Sequence, residues 1–452
     1  MATQTKTTEK SWQELTPDEK LQKRIDAWLA TPVNFVSAQA EADYKASINR
    51  FLDAVTLRKV PDRVPVMPNL GGFVQQYYGC TEKDLFYNPD KTSEVSRKAT
   101  LEFQIDTQIN VGGQSGRLME ILDAKQYNWP GHGVPEDGEY QFIESDYMKA
   151  DEYDALIRDP SDYWLRFYLP RVFGAMEPLK NLNPFVHMIE MTGAVPSNMS
   201  RFALPEVKEA LQKLVEAGEE AVRWQQKTGQ AGRKLAELGF PSVGGGNCRA
   251  PFDALGDSMR GTRGIAFDMF RQPEKLVETM ERMVPLLISM GLASVRMGGP
   301  PIVGFALHKG SDPYMSDKQF RTLYWPTLRK IMLAFINEGL IVRGGNQGFH
   351  NKRLEYYRDM PKGRVCWAVG YGTDIARMKE VLGDVACITG NVPATILHSG
   401  TAEETADFCR HLIDVAGKGG GYIFSNSGID RNAKVENVKA MIKTAKEYGV
   451  YS

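Results

Sequence analysis

The chain has 452 residues, 42% hydrophobic and 25% charged, the balance of an ordinary folded enzyme and not of a disordered chain. Lys and Arg total 55 against 56 for Asp and Glu, so no basic excess points to a nucleic-acid partner, and no apolar run reaches the ~18 residues of a membrane span. The five cysteines (Cys80, Cys248, Cys366, Cys387, Cys409) are scattered, with no Cys-x-x-Cys pair; that speaks for a reducing, cytoplasmic location and against a disulfide framework or a zinc finger.

The opening stretch Met1–Lys10 carries no apolar leader. Thr16-Pro17-Asp18-Glu19 then reads as an N-cap, a proline at the first helical position and acids in the first turn. Leu21, Ile25, Trp28 and Leu29 follow at helical spacing, and a second helical run from Ala38 to Leu57 ends before Pro61. Together they predict an N-terminal helical extension over residues 1–60. The strand Arg63–Met67 leads into the turn Pro68–Gly72, and Ile105–Val111 alternates before Gly112-Gly113. From about 114 to 205 the rhythm is lost, which predicts an insertion after the second strand, with Phe185–Met191 as a candidate added strand. From Glu206 onward strands and helices alternate, the pattern of a parallel sheet with helical crossovers. Strands at Val64, Ile105, Pro241, Ile302, Leu340, Val365, Ala386 and Tyr422 make eight. Eight predicts a closed α/β fold of the (β/α)8 TIM-barrel type over residues 61–452, not an open doubly wound sheet. No Gly-x-Gly-x-x-Gly follows the first strand and no Walker A loop occurs, so nucleotide binding is not expected.

In such a barrel the site lies where the strands end. That rule brings Asn69 and Phe73, Asn247 and Cys248, His308 and Lys309, Arg343, Tyr371, Asn391 and Ser427 to the mouth. His308-Lys309 is the sharpest pair, because a histidine can donate a proton while the lysine holds an anion or lowers the histidine's pKa. The plainer reading is a histidine bonded to a neighbouring loop beside a solvated lysine. Arg343 emerges from the apolar run Leu340–Val342 and either binds a carboxylate or phosphate or props a loop through an ion pair. Asn391 either forms an Asx turn or contacts substrate, and Asp374 reads as a helix N-cap. Asp253 and Asp257 share a helix face at i,i+4 spacing; one is expected to cap the helix, the other to meet Arg260 or Arg263. Cys248 follows a glycine run with no base beside it, which leaves a contact residue and argues against a nucleophile. Asn69, Phe73, Trp129 and Tyr371 would suit an aromatic ring, since small-molecule pockets combine apolar walls with few polar anchors.

Four phrases later in the chain stand in a particular order: Met315–Phe320 with Tyr324–Leu328, Asp374–Gly383, Ile388–Pro393 and Gly419–Phe424. In that order they resemble the uroporphyrinogen decarboxylase superfamily, which includes corrinoid-dependent methyltransferases, and the resemblance runs from about Arg63 to the end. It implies a (β/α)8 barrel. The departures are as informative as the likeness. The loop Pro68–Phe73 has no cation where the decarboxylases carry an arginine-rich loop for their substrate's carboxylates, and their catalytic aspartate falls on Gly113 or Gln114. The thiolate zinc set of the coenzyme M methyltransferases is absent too, with Val342–Asn346 and Ser427 at its positions. The resemblance therefore implies a further, corrinoid-dependent branch. Its methyltransferase would move a methyl group from a methoxylated or methylated small molecule to a cobalamin carried by a partner corrinoid protein. On that reading His308 is the expected acid, with Lys309, Arg343 or Tyr371 stabilising the leaving oxyanion. Asn69, Phe73, Cys248, Asn391 and Ser427 are the expected substrate contacts. No thiolate zinc is expected, another metal stays open, and a homo-oligomer is compatible with everything above. The alternatives are a decarboxylase or C–C lyase of a small aromatic acid, and a non-catalytic barrel that binds a corrinoid or tetrapyrrole.

Overall fold

The computed structural model describes residues 10–370, 372–428 and 431–451. Two helices, Pro17–Leu29 and Ala38–Thr56, open it. Thr16 and Glu19 cap the first reciprocally and Ser37 caps the second, which satisfies amide donors that every helix start leaves free. Their apolar stripe, including Leu21, Ile25, Trp28, Ile48 and Phe51, packs on Ile302, Ile341, Cys366, Cys387 and Ile423. All five of those residues stand first or second in their strands. The helices therefore plug the floor of the sheet, and the other end is left free to hold a site.

The sheet itself has six parallel strands in sequential order: β1 (Gly246–Cys248), β2 (Ile302–Leu307), β3 (Ile341–Asn346), β4 (Val365–Val369), β5 (Cys387–Val392) and β6 (Tyr422–Asn426). Helices such as Pro273–Ala293, Trp325–Asn337 and Ala402–Leu412 connect them, as parallel pairing requires. The predicted eight-stranded closure is not what forms: the sheet is not closed. Residues 63–67 touch β6 through a single bridge, Val66 to Phe424, and 105–111 form no ladder among the described residues. The cause is local chemistry. Pro65 and Pro68 have no amide donor, and the Val66 amide donates to the Asp106 carboxylate at 2.7 Å. The Ile109 and Val111 amides donate to the Thr100 and Ser96 hydroxyls at 3.0 and 2.9 Å. Side chains have taken several of the donors that a ladder would use, and the Met67, Asp106 and Gln108 amides reach the Phe424, Val66 and Pro241 carbonyls only as single backbone bonds. The third predicted strand, at Pro241, likewise starts regular pairing only at Gly246.

The irregular stretch holds a small three-stranded sheet of Tyr127–Pro130, Gly133–Val134 and Gln141–Phe142. Phe185–His187 is one tight turn, not an added strand. Trp129 is buried with Phe86 and Met119 and stacks on His132 at 4.5 Å, so it is a core residue of this satellite sheet. No helix among the described residues is long and apolar enough to cross a membrane.

Candidate active site

Inward positions near the strand ends carry almost no side chain. Gly304 and Ala306 on β2, Gly345 on β3 and Gly370 after β4 face a common space, where bulky branched residues normally fill a barrel interior in layers. A cavity of about 690 Å³ remains. Phe305, Phe349, Ala368 and Val369 give its walls apolar patches, and the polar side chains are neutral amides and hydroxyls, among them Asn69, Asn247, Gln347, Asn426 and Ser427. Asn426 binds the backbone of Asn69 twice, accepting from its amide at 2.8 Å and donating to its carbonyl at 3.1 Å. That double bond clamps the first loop to the end of β6. Ser427 is held by the Val392 carbonyl, to which its amide and hydroxyl donate at 3.0 and 3.3 Å.

Arg343 is the one charged side chain among the described residues lining this cavity. It sits mid-strand on β3 yet is exposed, and no hydrogen bond or ion pair holds it among the described residues. No Asp, Glu, His, Lys or Cys among those residues faces the cavity. Nor do any three His, Cys, Asp or Glu side chains among the described residues converge as metal ligands would.

His308 and Lys309 follow β2 and do not line the cavity; they form a cluster on its rim. Helix Pro251–Ser258 brings Asp253 and Asp257 onto one face, and Gly256 lets it approach, because a Cβ there would come within 2.5 Å of the Lys309 side chain. Asp257 Oδ2 lies 2.7 Å from His308 Nδ1, and its Oδ1 lies 3.1 Å from Lys309 Nζ. The hydrogen bond to Asp257 raises the His308 pKa, against the opposing effect of burial. Burial would raise the Asp257 carboxyl, but the bond to His308 and the charges of His308 and Lys309 bring it below the ordinary value. With Nδ1 engaged, His308 Nε2 has no partner among the described residues, and the side chain is 32% exposed.

Asp253 lies beneath, fully buried. It accepts the His308 and Lys309 amides at 3.1 and 2.9 Å and the Tyr324 hydroxyl at 2.7 Å. Burial pushes its pKa up to about 6, helped by the like charge of Asp257 and opposed by those hydrogen bonds. Neither aspartate meets Arg260 or Arg263 as the sequence suggested; Arg260 pairs with Asp268 at 2.6 Å.

The structure thus brings Asn69, Asn247, Arg343 and Ser427 to the cavity and sets the other described candidates elsewhere. Lys309 is buried and tied to Asp257 and to the Thr262 hydroxyl at 2.7 Å, so it orients the rim cluster and is not turned to a ligand. Phe73 is in the core, stacked on Tyr77 at 5.5 Å and edge-on to Phe103, because the turn after Pro68 continues as helix Gly71–Tyr77. Cys248 points away from the cavity, with Sγ 3.4 Å from the Leu287 carbonyl and its pKa pushed up by burial to about 12. Its neighbour Asn247 takes the inward position and is exposed there. The alternation of a strand makes that a one-residue question of phase: the sequence placed both residues at the mouth but chose Cys248, not Asn247, as the substrate contact. Asn391 is buried and its side-chain amide donates to the Gly370 and Thr373 carbonyls, both at 3.3 Å, so it braces a turn. Asp374 caps helix Ile375–Leu382 as read from the sequence. Tyr371 lies outside the described residues.

The sequence model of the uroporphyrinogen decarboxylase (URO-D) family matches residues 204–448, a narrower span than the phrases from Arg63 onward suggested. Among solved structures, a methyltransferase from Methanosarcina mazei is similar in fold, with a TM-score of 0.56 at 16% identity over 89% of this chain and 98% of that one. No curated protein matches the chain in sequence.

Proposed function

The chain belongs to the uroporphyrinogen decarboxylase family, and within it we propose a methyltransferase that takes a methyl group from a methoxylated or otherwise methylated small molecule. The observation that carries the reading is the polar make-up of the cavity: neutral amides, hydroxyls and a single arginine, with no acid or base lining it among the described residues. Uroporphyrinogen, with its many carboxylates, would need several cations, and Arg343 is the single charged side chain lining the cavity among the described residues. Methyl transfer asks less: the departing oxygen needs a proton or a positive charge.

His308 is the proton donor in this reading. Asp257 holds its Nδ1, which leaves Nε2 as the ring nitrogen that can reach a ligand, and the same hydrogen bond raises the His308 pKa and so favours the protonated ring. A phenol leaves poorly as its anion at neutral pH, and a positioned acid contributes about 10²–10⁴-fold in rate. The methyl acceptor is a cobalamin, which supplies the nucleophilic metal when a partner corrinoid protein presents it. The cavity walls carry no imidazole, thiol or carboxylate ligand among the described residues, which suits a cofactor held by another protein over the mouth.

The experiment is anaerobic formation of methylcobalamin from reduced cobalamin and a panel of methoxylated aromatic and aliphatic donors, followed by absorbance. His308→Ala should lower kcat far more than it raises KM. Demethylated product formed without cobalamin would remove the corrinoid, and an unchanged rate in the variant would remove the acid. Arg343 favours one second reading, a decarboxylase or C–C lyase of a small acid; release of carbon dioxide from the same panel distinguishes it.

A further inference from the structure

We propose that Arg343 and Asn247 form a carboxylate-binding subsite at the base of the cavity, and that the physiological substrate is a small carboxylic acid anion. The proposal rests on the methyl-transfer reading for the location of the site, but not for its chemistry.

The strand register carries the argument. Asn247 on β1 is paired with Gly304 on β2, and Gly304 with Arg343 on β3. The three stand in one row across the sheet, and the middle member has no side chain. Adjacent strands lie about 4.8 Å apart, so Asn247 and Arg343 flank a gap about 10 Å wide between their backbones. The Asn247 side chain leans over that gap, since a Cβ on Gly304 would meet its Oδ1 at 3.4 Å. Both side chains are exposed to the cavity, and neither has a side-chain hydrogen-bond partner among the described residues. Thr389 on β5 adds a third polar group. It is buried, its hydroxyl has no hydrogen-bond partner among the described residues, and it lines the cavity together with Arg343.

Elsewhere this chain neutralises its buried guanidiniums. Arg50 pairs with Asp62 and Asp106, Arg260 with Asp268, and Arg353 with Asp312 and Asp317. Arg343 has no such carboxylate among the described residues and stands exposed to the cavity, so its guanidinium is available to an anionic ligand. A planar carboxylate matches a guanidinium fork bidentately, and one of its oxygens can also accept the Asn247 amide. The same row explains why no aspartate or glutamate among the described residues lines the walls: it would compete for the arginine and repel the substrate.

A carboxylate held here has a neighbour at a useful distance. Gly304, which pairs with Arg343, precedes His308 by four residues, about 13 Å along the strand at about 3.3 Å per residue. A single ring with a carboxylate at one end and a methyl ether at the other is of a size to lie between the two side chains. The acid anchors at the base and the ether oxygen comes to the rim.

Isothermal titration of the purified full chain with acetate, benzoate and 4-methoxybenzoate, each beside its amide, tests the subsite without any turnover. Binding of at least one acid, at least tenfold tighter than its amide, is expected. Arg343→Met should weaken that binding about 10–100-fold, the usual weight of a charge-assisted pair, and Arg343→Lys should restore part of it. Because no hydrogen bond or ion pair holds Arg343 among the described residues, Arg343→Met should melt no lower than the wild type. Acids and amides bound alike, no acid bound at all, or full affinity in Arg343→Met would each overturn the subsite. Selective carboxylate binding without methyl transfer would leave the subsite standing and remove the methyltransferase. Methyl transfer that is indifferent to the carboxylate would do the reverse.

Discussion

Replacing Asp253 by asparagine isolates the buried charge under the rim cluster. The wild-type carboxyl titrates at about 6 where an ordinary aspartate titrates at 3.8, a gap that converts to about 3 kcal/mol of differential stability. The folded value is the raised one, so the folded state binds the proton more tightly. The contribution is fully present below the ordinary carboxylate pKa and is lost as pH rises through about 6. Working the titration through, roughly half of that loss falls between about pH 5 and pH 7.5. The amide side chain of the Asp253→Asn variant carries no charge at any pH, but it presents a donor to a site that now receives three donors, from His308, Lys309 and Tyr324. The tyrosine hydroxyl can turn to accept; a backbone amide cannot, and the orphaned donor costs about 1–3 kcal/mol at every pH. In urea unfolding of both proteins, the stability of Asp253→Asn relative to the wild type should therefore improve by about 1–2 kcal/mol between those two pH values. Both proteins are compared in a His308→Ala background, because the Asp253 charge also raises the His308 pKa. Parallel pH profiles would refute the reasoning, because they would mean that Asp253 is not a strained buried acid.

Three further outcomes follow from the same structure. Trp28→Ala, which empties a site only 3% exposed beneath Ile302 and Ile341, should cost about 3–5 kcal/mol in urea unfolding; a cost below about 1 kcal/mol would mean that the floor helices are not part of the cooperative core. Protein purified without chelator should hold no stoichiometric zinc by elemental analysis, since Cys248 faces Leu287 and Cys366 and Cys387 lie at the floor; stoichiometric zinc lost on Cys248→Ser or Cys366→Ser would overturn this. Uroporphyrinogen should not be decarboxylated, because a substrate with several carboxylates would leave most of them unpaired around Arg343; coproporphyrinogen formed at ordinary enzyme loading would refute it.

What the sequence determined by itself was whatever depends on near neighbours. The capping residues Thr16 and Asp374 marked real helix starts, because a cap is an interaction across three residues. Strand–helix alternation after Glu206 placed β2 to β6 of the parallel sheet and set β1 a few residues early, and strand ends brought Asn69, Arg343 and Ser427 to the cavity. Partners far apart in the chain decided the rest. His308 looked like a mouth residue, but Asp257, 51 positions earlier, holds its ring on the rim. Cys248 and Asn247 exchanged faces on a strand only three residues long, too short for its own pattern to reveal the phase. Closure of the sheet failed because Asp106, Thr100 and Ser96 took the amides of segments that read as strands. A backbone donor can be claimed by a ladder or by a side chain, and which of them reaches it first is a property of the packed molecule.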